Sequence, residues 1–247
     1  YLPILANAGG RVIFECPRPL LPLAREIGQL KTVSVHGERL PGHDIQAPLL
    51  DLPRLFRTRL DNVPADCPYL RVPMAARRKW AEFHRALPVG LKVGIAWRGS
   101  PDHPRDQIRS PGLAPFENLL RRTDCVFVSL QRDGGAAEVA RLPSGTRLIN
   151  PTDRIADFAD TAALVEGLDL IISCDSAPAH LAGALGKTAW IALPLIAEWR
   201  WLSDRDDSPW YPTAKLFRQP EFGDWDAVAT AMSAALAGVT ATAARMS

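Results

Sequence analysis

No apolar run reaches the roughly 18 residues that a membrane-spanning helix needs, so no transmembrane span is expected in the 247-residue chain. Charge of one sign is also missing. The net charge is +2 at pH 7, which removes the electrostatic case for a nucleic-acid or membrane partner. Cysteine is scarce. Cys16, Cys67, Cys125 and Cys174 lie far apart, no CxxC occurs, and three of them sit in or beside apolar, strand-like runs. They read as small buried hydrophobes in a reducing, cytoplasmic compartment. The five histidines form no metal spacing, so no metal is expected. No GxGxxG follows a strand, which argues against a nicotinamide dehydrogenase, and no cofactor is expected. There is no low-complexity stretch and no internal repeat of about 20–50 residues. The opening YLPILANAGG lacks a basic region and a full apolar core, so it makes a poor signal peptide. No initiator methionine precedes it, and a fragment of a longer chain is one expectation.

What is present suits a soluble globular protein: 47% hydrophobic and 23% charged residues. The second half alternates short apolar runs with helical patterns. Strands are expected at KVGIAW (92–97), CVFVSL (125–130), RLIN (147–150), LDLIIS (168–173), AWIALP (189–194) and KLFRQ (215–219). Helices are expected near 115–122, 134–141, 157–167, 178–185 and 224–237. This alternation predicts a doubly wound α/β domain with a parallel sheet covered on both faces, connected by right-handed crossovers.

The first half is sparser. RVIFEC (11–16), KTVSV (31–35) and HDIQA (43–47) read as strands, with a helix near 19–28. Prolines then crowd in at 41, 48, 53, 64, 68 and 73, and AARRKWAEFHRAL (75–87) reads as an amphipathic helix. The expected division is a partial, truncated Rossmann-like domain over 1–80 and a complete one over 81–247. An unpaired sheet edge in the first can recruit a partner, so a homo-oligomer is one expectation.

Ligands of open α/β sheets sit outside the carboxyl ends of the strands. After the first strand of the second half come Trp97, Arg98, Gly99 and Ser100, then a polar loop to Arg109. Gln131 follows the second strand, Asp160 and Thr161 open the helix before the fourth, and Asp175, Ser176 and then His180 follow the fourth. Asp175 or Ser176 can cap that helix, and Pro178 suits its first turn. Exposed amides and the positive end of the helix dipole make an anion site there. His180 can add a donor, and Arg98 and Arg109 bring fixed positive charge. Together they describe a diphosphate site, with Gln131, Asp160 and Thr161 free for base or ribose. The bland reading stands beside it: Asp-Ser-x-Pro is a good helix start in any protein, and Arg109 is a solvated loop charge. Convergence of several polar loops on one sheet edge favours the site.

Other patterns fail on inspection. Gly186-Lys187-Thr188 resembles the end of a phosphate loop, but the first glycine of that pattern would fall at Leu181. Gly186 reads better as a helix C-cap. Asp204-Arg205-Asp206 is a DxD, explained equally well as a charged loop between aromatic clusters. Ser176 and His180 lie too close on one turn to form a nucleophile pair, and no nucleophile elbow occurs. Trp199, Trp201, Trp210 and Tyr211 read either as packing of a long loop or as a sugar or base platform.

These runs carry a resemblance. KVGIAWRGSPDHPRDQIRS, FVSLQ, DFADTAALVEGLDLIISCDSAPAHLAGALGK and WRWLSDRDDSPWYPTAKLFRQ resemble the glycosyltransferase half of bacterial tetratricopeptide-repeat proteins. Those are related to glycosyltransferase family 9, the ADP-heptose:lipopolysaccharide heptosyltransferases. The match covers 92–219 well and 1–73 more loosely, and the block from Asp175 to Gly186 is its most specific part. The resemblance implies a GT-B fold: two Rossmann-like domains facing across a cleft. It implies an inverting, metal-independent transfer from a nucleotide-diphospho-sugar to an acceptor hydroxyl on a glycan, a lipid-linked sugar or a protein. By the resemblance Asp175, Ser176 and His180 match the block that meets the donor, Arg109 corresponds loosely to a phosphate-neutralising basic residue and Ser100 to a donor-contacting hydroxyl. Arg109 and His180 are the expected catalytic pair at the departing diphosphate. With the strand-end residues above, Trp97, Arg98, Gly99, Ser100, Gln131, Asp160, Thr161, Asp175, Ser176 and Trp201 are the expected substrate contacts, and the final helix is expected to pack back toward the first domain. The family's Asp-bearing glycine-rich loop, which supplies the general base, is absent from this sequence, as are the repeats. That departure leaves a non-catalytic nucleotide, sugar or protein-binding module as the alternative, and a GT-B-fold epimerase as a weaker one.

Overall fold

The computed structural model describes residues 1–132 and 135–246, side chains of 241–246 excepted. The first half carries a two-stranded parallel pair, β1 (Ile13–Cys16) and β2 (Thr32–Val35), with short helices α1 (Leu2–Asn7), α2 (Leu21–Ala24) and α3 (Leu52–Leu55) around it. No strand forms over 43–47. Pro41 and Pro48 flank that stretch and remove ladder donors, and Ile45 lies 87% exposed with no face to bury. The helix expected near 19–28 shortens to a 3-10 turn at Arg18–Leu20 followed by α2.

The long helix α4 (Met74–Ala86) leads into the second half, and the expected boundary at 80 falls inside it. There, six parallel strands make one sheet: β3 (Leu91–Ala96), β4 (Cys125–Ser129), β5 (Leu148–Ile149), β6 (Leu170–Cys174), β7 (Ala189–Leu193) and β8 (Ala214–Arg218), in the order β5-β4-β3-β6-β7-β8. Short helices α5 (Asp106–Arg109) and α6 (Glu117–Leu120) cross from β3 to β4, and α7 (Ala136–Val139) crosses from β4 to β5. Helices α8 (Phe158–Glu166) and α9 (Ala177–Ala184) flank β6, and α10 (Trp225–Met246) follows β8. The order reverses between β3 and β6, the doubly wound arrangement whose crevice binds ligands.

The central strand runs are mostly apolar because both faces are covered. Side chains alternate between two cores, as the pleat requires. Val93, Ile95, Phe127, Leu170, Ile172 and Trp190 face the layer built from Leu113–Leu120 and α10. Val128, Ile171, Ile191 and Leu193 face α8, α9 and Trp80 of α4. A Cβ at Gly94 would lie 2.8–3.0 Å from Leu168, Leu130 and Ile171, so glycine lets this layer close onto β3. The C-cap expected at Gly186 is present. Its φ is +68°, and Lys187 and Gly186 donate to the carbonyls of Ala182 and Gly183, a Schellman motif that stops α9 before β7.

The first half docks onto the second through this same helix end. The Tyr69 and Leu70 amides both donate to the Ala184 carbonyl (3.0 and 3.1 Å), and Leu23 and Val72 join the core around Trp80. Among the described residues, no helix is long and apolar enough to cross a membrane. The four cysteines are unpaired. Burial pushes the thiol of Cys174 up to about 12 and that of Cys125 up to about 11, so both behave as apolar packing groups.

Candidate functional site

A cleft of about 240 Å³ opens at the switch point between β3 and β6. Four chain segments line it. Arg98, Gly99 and Ser100 follow β3, and Gln131 and Arg132 follow β4. Asp157, Phe158 and Thr161 belong to the start of α8, and Ser176, Ala177 and Pro178 to the start of α9. A second, water-sized depression of about 20 Å³ lies between Arg105, Arg109, Asp175 and Glu198.

The rim after β3 is held by side chains of the β4-to-β5 crossover. Gln131 Oε1 accepts from the amides of Trp97 (3.1 Å) and Arg98 (2.8 Å). Glu138 of α7 takes the Trp97 indole N–H (2.8 Å), both forks of Arg98 (2.7 and 3.0 Å) and the Leu113 amide (3.1 Å). Burial alone would raise its carboxyl, but these donors outweigh burial and hold it below the usual carboxylate range. Glu138 was invisible in the sequence, where it is a lone acid with no telling spacing. Glu138→Ala should destabilise the fold by about 2–3 kcal/mol, since a buried indole N–H and a charged guanidinium lose their acceptor. The sign with pH follows from the lowered folded value. The Glu138 contribution is present above the ordinary carboxylate pKa and is lost as pH falls through the folded one. Urea unfolding from neutral to acid pH should therefore show a shallower acid loss in Glu138→Gln than in the parent.

Arg109 lines the small depression and packs against Gly99 of the cleft. Its guanidinium donates to the Asp175 carbonyl (2.9 Å) and sits 3.4 Å from Asp106 Oδ1. It lies flat over Gly99, where a Cβ would come 2.3 Å from its terminal nitrogen. Glycine at 99 is thus a requirement of close approach. Ser176 occupies the N-cap position of α9, yet its hydroxyl turns inward to Ser173 Oγ (3.1 Å) and the Cys174 carbonyl (3.4 Å). Asp175 does not cap either, since its Oδ1 accepts the Trp201 indole N–H at 2.8 Å. No side chain caps the first turn of α9, so its positive end is turned to the cleft through Ser176 and Ala177.

His180 stands beside this turn. Its ring stacks on Trp201 (centroids 5.2 Å, 18°), and its Nδ1 lies 3.1 Å from the Tyr211 hydroxyl. Nε2 is 3.8 Å from Asp175 Oδ1. Burial pushes its pKa below the usual histidine value, against the opposing pull of Asp175.

Three sequence-expected contacts sit elsewhere. Asp160 faces away from the cleft and accepts from Lys79 Nζ (2.6 Å), Trp80 Nε1 (3.0 Å) and the Ala156 amide (2.9 Å), which locks α4 onto α8. The Trp97 ring is fully buried on Glu138, and Trp201 is fully buried beneath His180. Trp199, at 54% exposure, is the outward ring of the aromatic cluster, with Arg200 over its face at 4.5 Å. Arg98, Gly99, Ser100, Gln131, Thr161 and Ser176 do line one cleft, Arg109 and Asp175 line the smaller depression, and His180 is in the lining of neither. The chain after Trp201 is held under strain. Leu202 adopts φ +53°, and Arg218 binds the carbonyls of Trp201 (3.2 Å) and Leu202 (2.6 Å).

Two solved structures are similar to this chain in fold. ADP-heptose lipopolysaccharide heptosyltransferase II of E. coli aligns at a TM-score of 0.52 over 70% of this chain and 53% of its own, at 14% identity. A family 9 glycosyl transferase from Veillonella parvula aligns at 0.50 over 69% and 52%, also at 14% identity. The fold is glycosyltransferase-like. At this identity the likeness concerns the fold alone. In sequence, the chain is 28% identical over 190 residues to Protein FlbA of Caulobacter vibrioides, covering 74% of this chain and 31% of that protein. The chain therefore spans about a third of the length of that relative. No family model matches.

Proposed function

We propose that the chain is a glycosyltransferase domain of the GT-B type that binds a nucleotide-diphospho-sugar at the β3/β6 switch point. The observation that carries this reading is the cleft itself. It sits at the carboxyl ends of a doubly wound sheet, beside an uncapped helix start and the Arg109 guanidinium. The diphosphate lies along Ser176–Ala177 and Arg109, and the nucleoside lies toward Gln131, Arg132 and Thr161. An acceptor hydroxyl attacks the anomeric carbon and passes its proton to water, and the bond from that carbon to the diphosphate oxygen breaks with inversion. The electron pair leaves on the diphosphate. Donors preorganised for that growing charge stabilise the transition state, which needs no metal. The acceptor is a glycan, a lipid-linked sugar or a protein.

One observation favours a binding module without catalysis. Asp157 is the carboxylate lining the cleft among the described residues, and its oxygen is engaged by the Ala159 and Asp160 amides at the start of α8. A transfer assay with a panel of ADP-, UDP- and GDP-sugars separates the readings. Diphosphate release that depends on an acceptor supports transfer. A changed sugar without acceptor means epimerisation, and saturable binding without turnover means a binding module.

A further inference from the structure

His180 is placed so that one ring nitrogen is committed inside the protein and the other is left at the surface. Nδ1 meets the Tyr211 hydroxyl at 3.1 Å, and the Tyr69 hydroxyl in turn interacts with that of Tyr211. A neutral phenol has one proton to place, and Nδ1 is an acceptor within its reach. On the other side, Asp175 Oδ1 lies 3.8 Å from Nε2, too far for a hydrogen bond but close enough to favour an N–H there. Both effects select the same tautomer. Nε2 makes no hydrogen bond among the described residues, and the side chain is 36% exposed. The Tyr211 ring is seated against α9 at Gly183, where a Cβ would lie 2.3 Å from it.

We propose that Tyr211 is a positioning residue that fixes His180 as its Nε2–H tautomer, so that His180 serves the bound diphosphate as a hydrogen-bond donor and not as the base for the acceptor hydroxyl. The proposal deepens the donor-site reading and rests on it for the identity of the ligand. The tautomer itself does not depend on it. Tyr69 belongs to the segment that caps Ala184, so the docking of the first half brings its hydroxyl to Tyr211. The charged groups around the ring are Asp175, Glu198, Arg109 and Arg200, and the two tyrosines leave their number unchanged.

Long-range nitrogen–proton NMR of the ligand-free chain at neutral pH reads the tautomer directly. The expected parent spectrum shows His180 protonated at Nε2. In Tyr211→Phe the Nδ1–H share should rise by roughly fivefold, the change one ordinary buried hydrogen bond corresponds to. Tyr69→Phe, at a half-exposed position, should shift it the same way by less, and it serves if Tyr211→Phe fails to fold. An Nδ1–H parent, or tautomers unmoved in both variants, overturns the proposal. A double-mutant cycle on ADP, UDP and GDP affinity supplies the second readout. Tyr211→Phe should add nothing to the loss already caused by His180→Ala, whereas a merely structural tyrosine would add its full loss. A shifted tautomer without diphosphate binding by the parent would keep the positioning role and remove the donor-site reading.

Discussion

Trp201→Ala is expected to cost about 3–5 kcal/mol of stability, the range for emptying a fully buried aromatic site. Two losses combine. The ring is fully buried in the core that covers α8 and α9. Its indole N–H is also the donor to Asp175 Oδ1, and removing it leaves a buried carboxylate short of a partner. Trp201→Phe separates them, because it keeps most of the ring and should lose only about 1.5–3 kcal/mol, the worth of a hydrogen bond to a charged group. Urea unfolding with an unchanged m-value checks both figures. If Trp201 instead served as an outward sugar platform, the alanine variant would unfold like the parent and lose only ligand affinity.

The second large effect is on ligand. Arg109→Ala should weaken nucleoside-diphosphate binding by about tenfold or more, the scale of one charge-assisted contact. Turnover in Arg109→Ala and in His180→Ala should each fall by about tenfold or more, as for single oxyanion-type donors. Arg109→Lys should not restore it, because an ammonium cannot hold the Asp175 carbonyl and present a second edge to phosphate at once. Gly99→Ala offers the sharper form of the test. It leaves Arg109 in the sequence but puts a Cβ 2.3 Å from the guanidinium nitrogen, so the arginine must swing away and the same affinity should be lost. Unchanged turnover in both the Arg109 and His180 variants removes the site assignment.

The sheet was legible because its strands are buried on both faces and so read as uninterrupted apolar runs, each of which forms within a few residues of its expected bounds. The polar residues at strand ends were legible for a related reason. A parallel sheet places all such ends on one edge, so Arg98, Gln131 and Ser176 meet although they lie far apart in the chain. What sequence could not show were side chains whose role is set by a distant partner. Asp160 looked free for ribose, yet Lys79 and Trp80 arrive from a helix 80 residues upstream. Glu138 carried no pattern and Tyr211 only its place in an aromatic cluster, and their roles depend on where Trp97 and His180 come to rest. Trp201 was read toward the ligand because an aromatic cluster in a loop looks the same whether its rings point in or out. The stretch 43–47 alternates like a strand, but prolines on both sides leave it nothing to pair with.

The central claim is that the switch-point cleft binds a nucleoside diphosphate. The most direct test is the unfolding free energy of the chain with and without ADP, UDP and GDP, in the parent and in Gly99→Ala. A ligand specific to the folded state, present at about 100 times its dissociation constant, should add about 2.7 kcal/mol. The account predicts that gain with at least one of the three in the parent, and its near loss in Gly99→Ala at the same concentration. No gain with any of them, or an equal gain in both proteins, would contradict it.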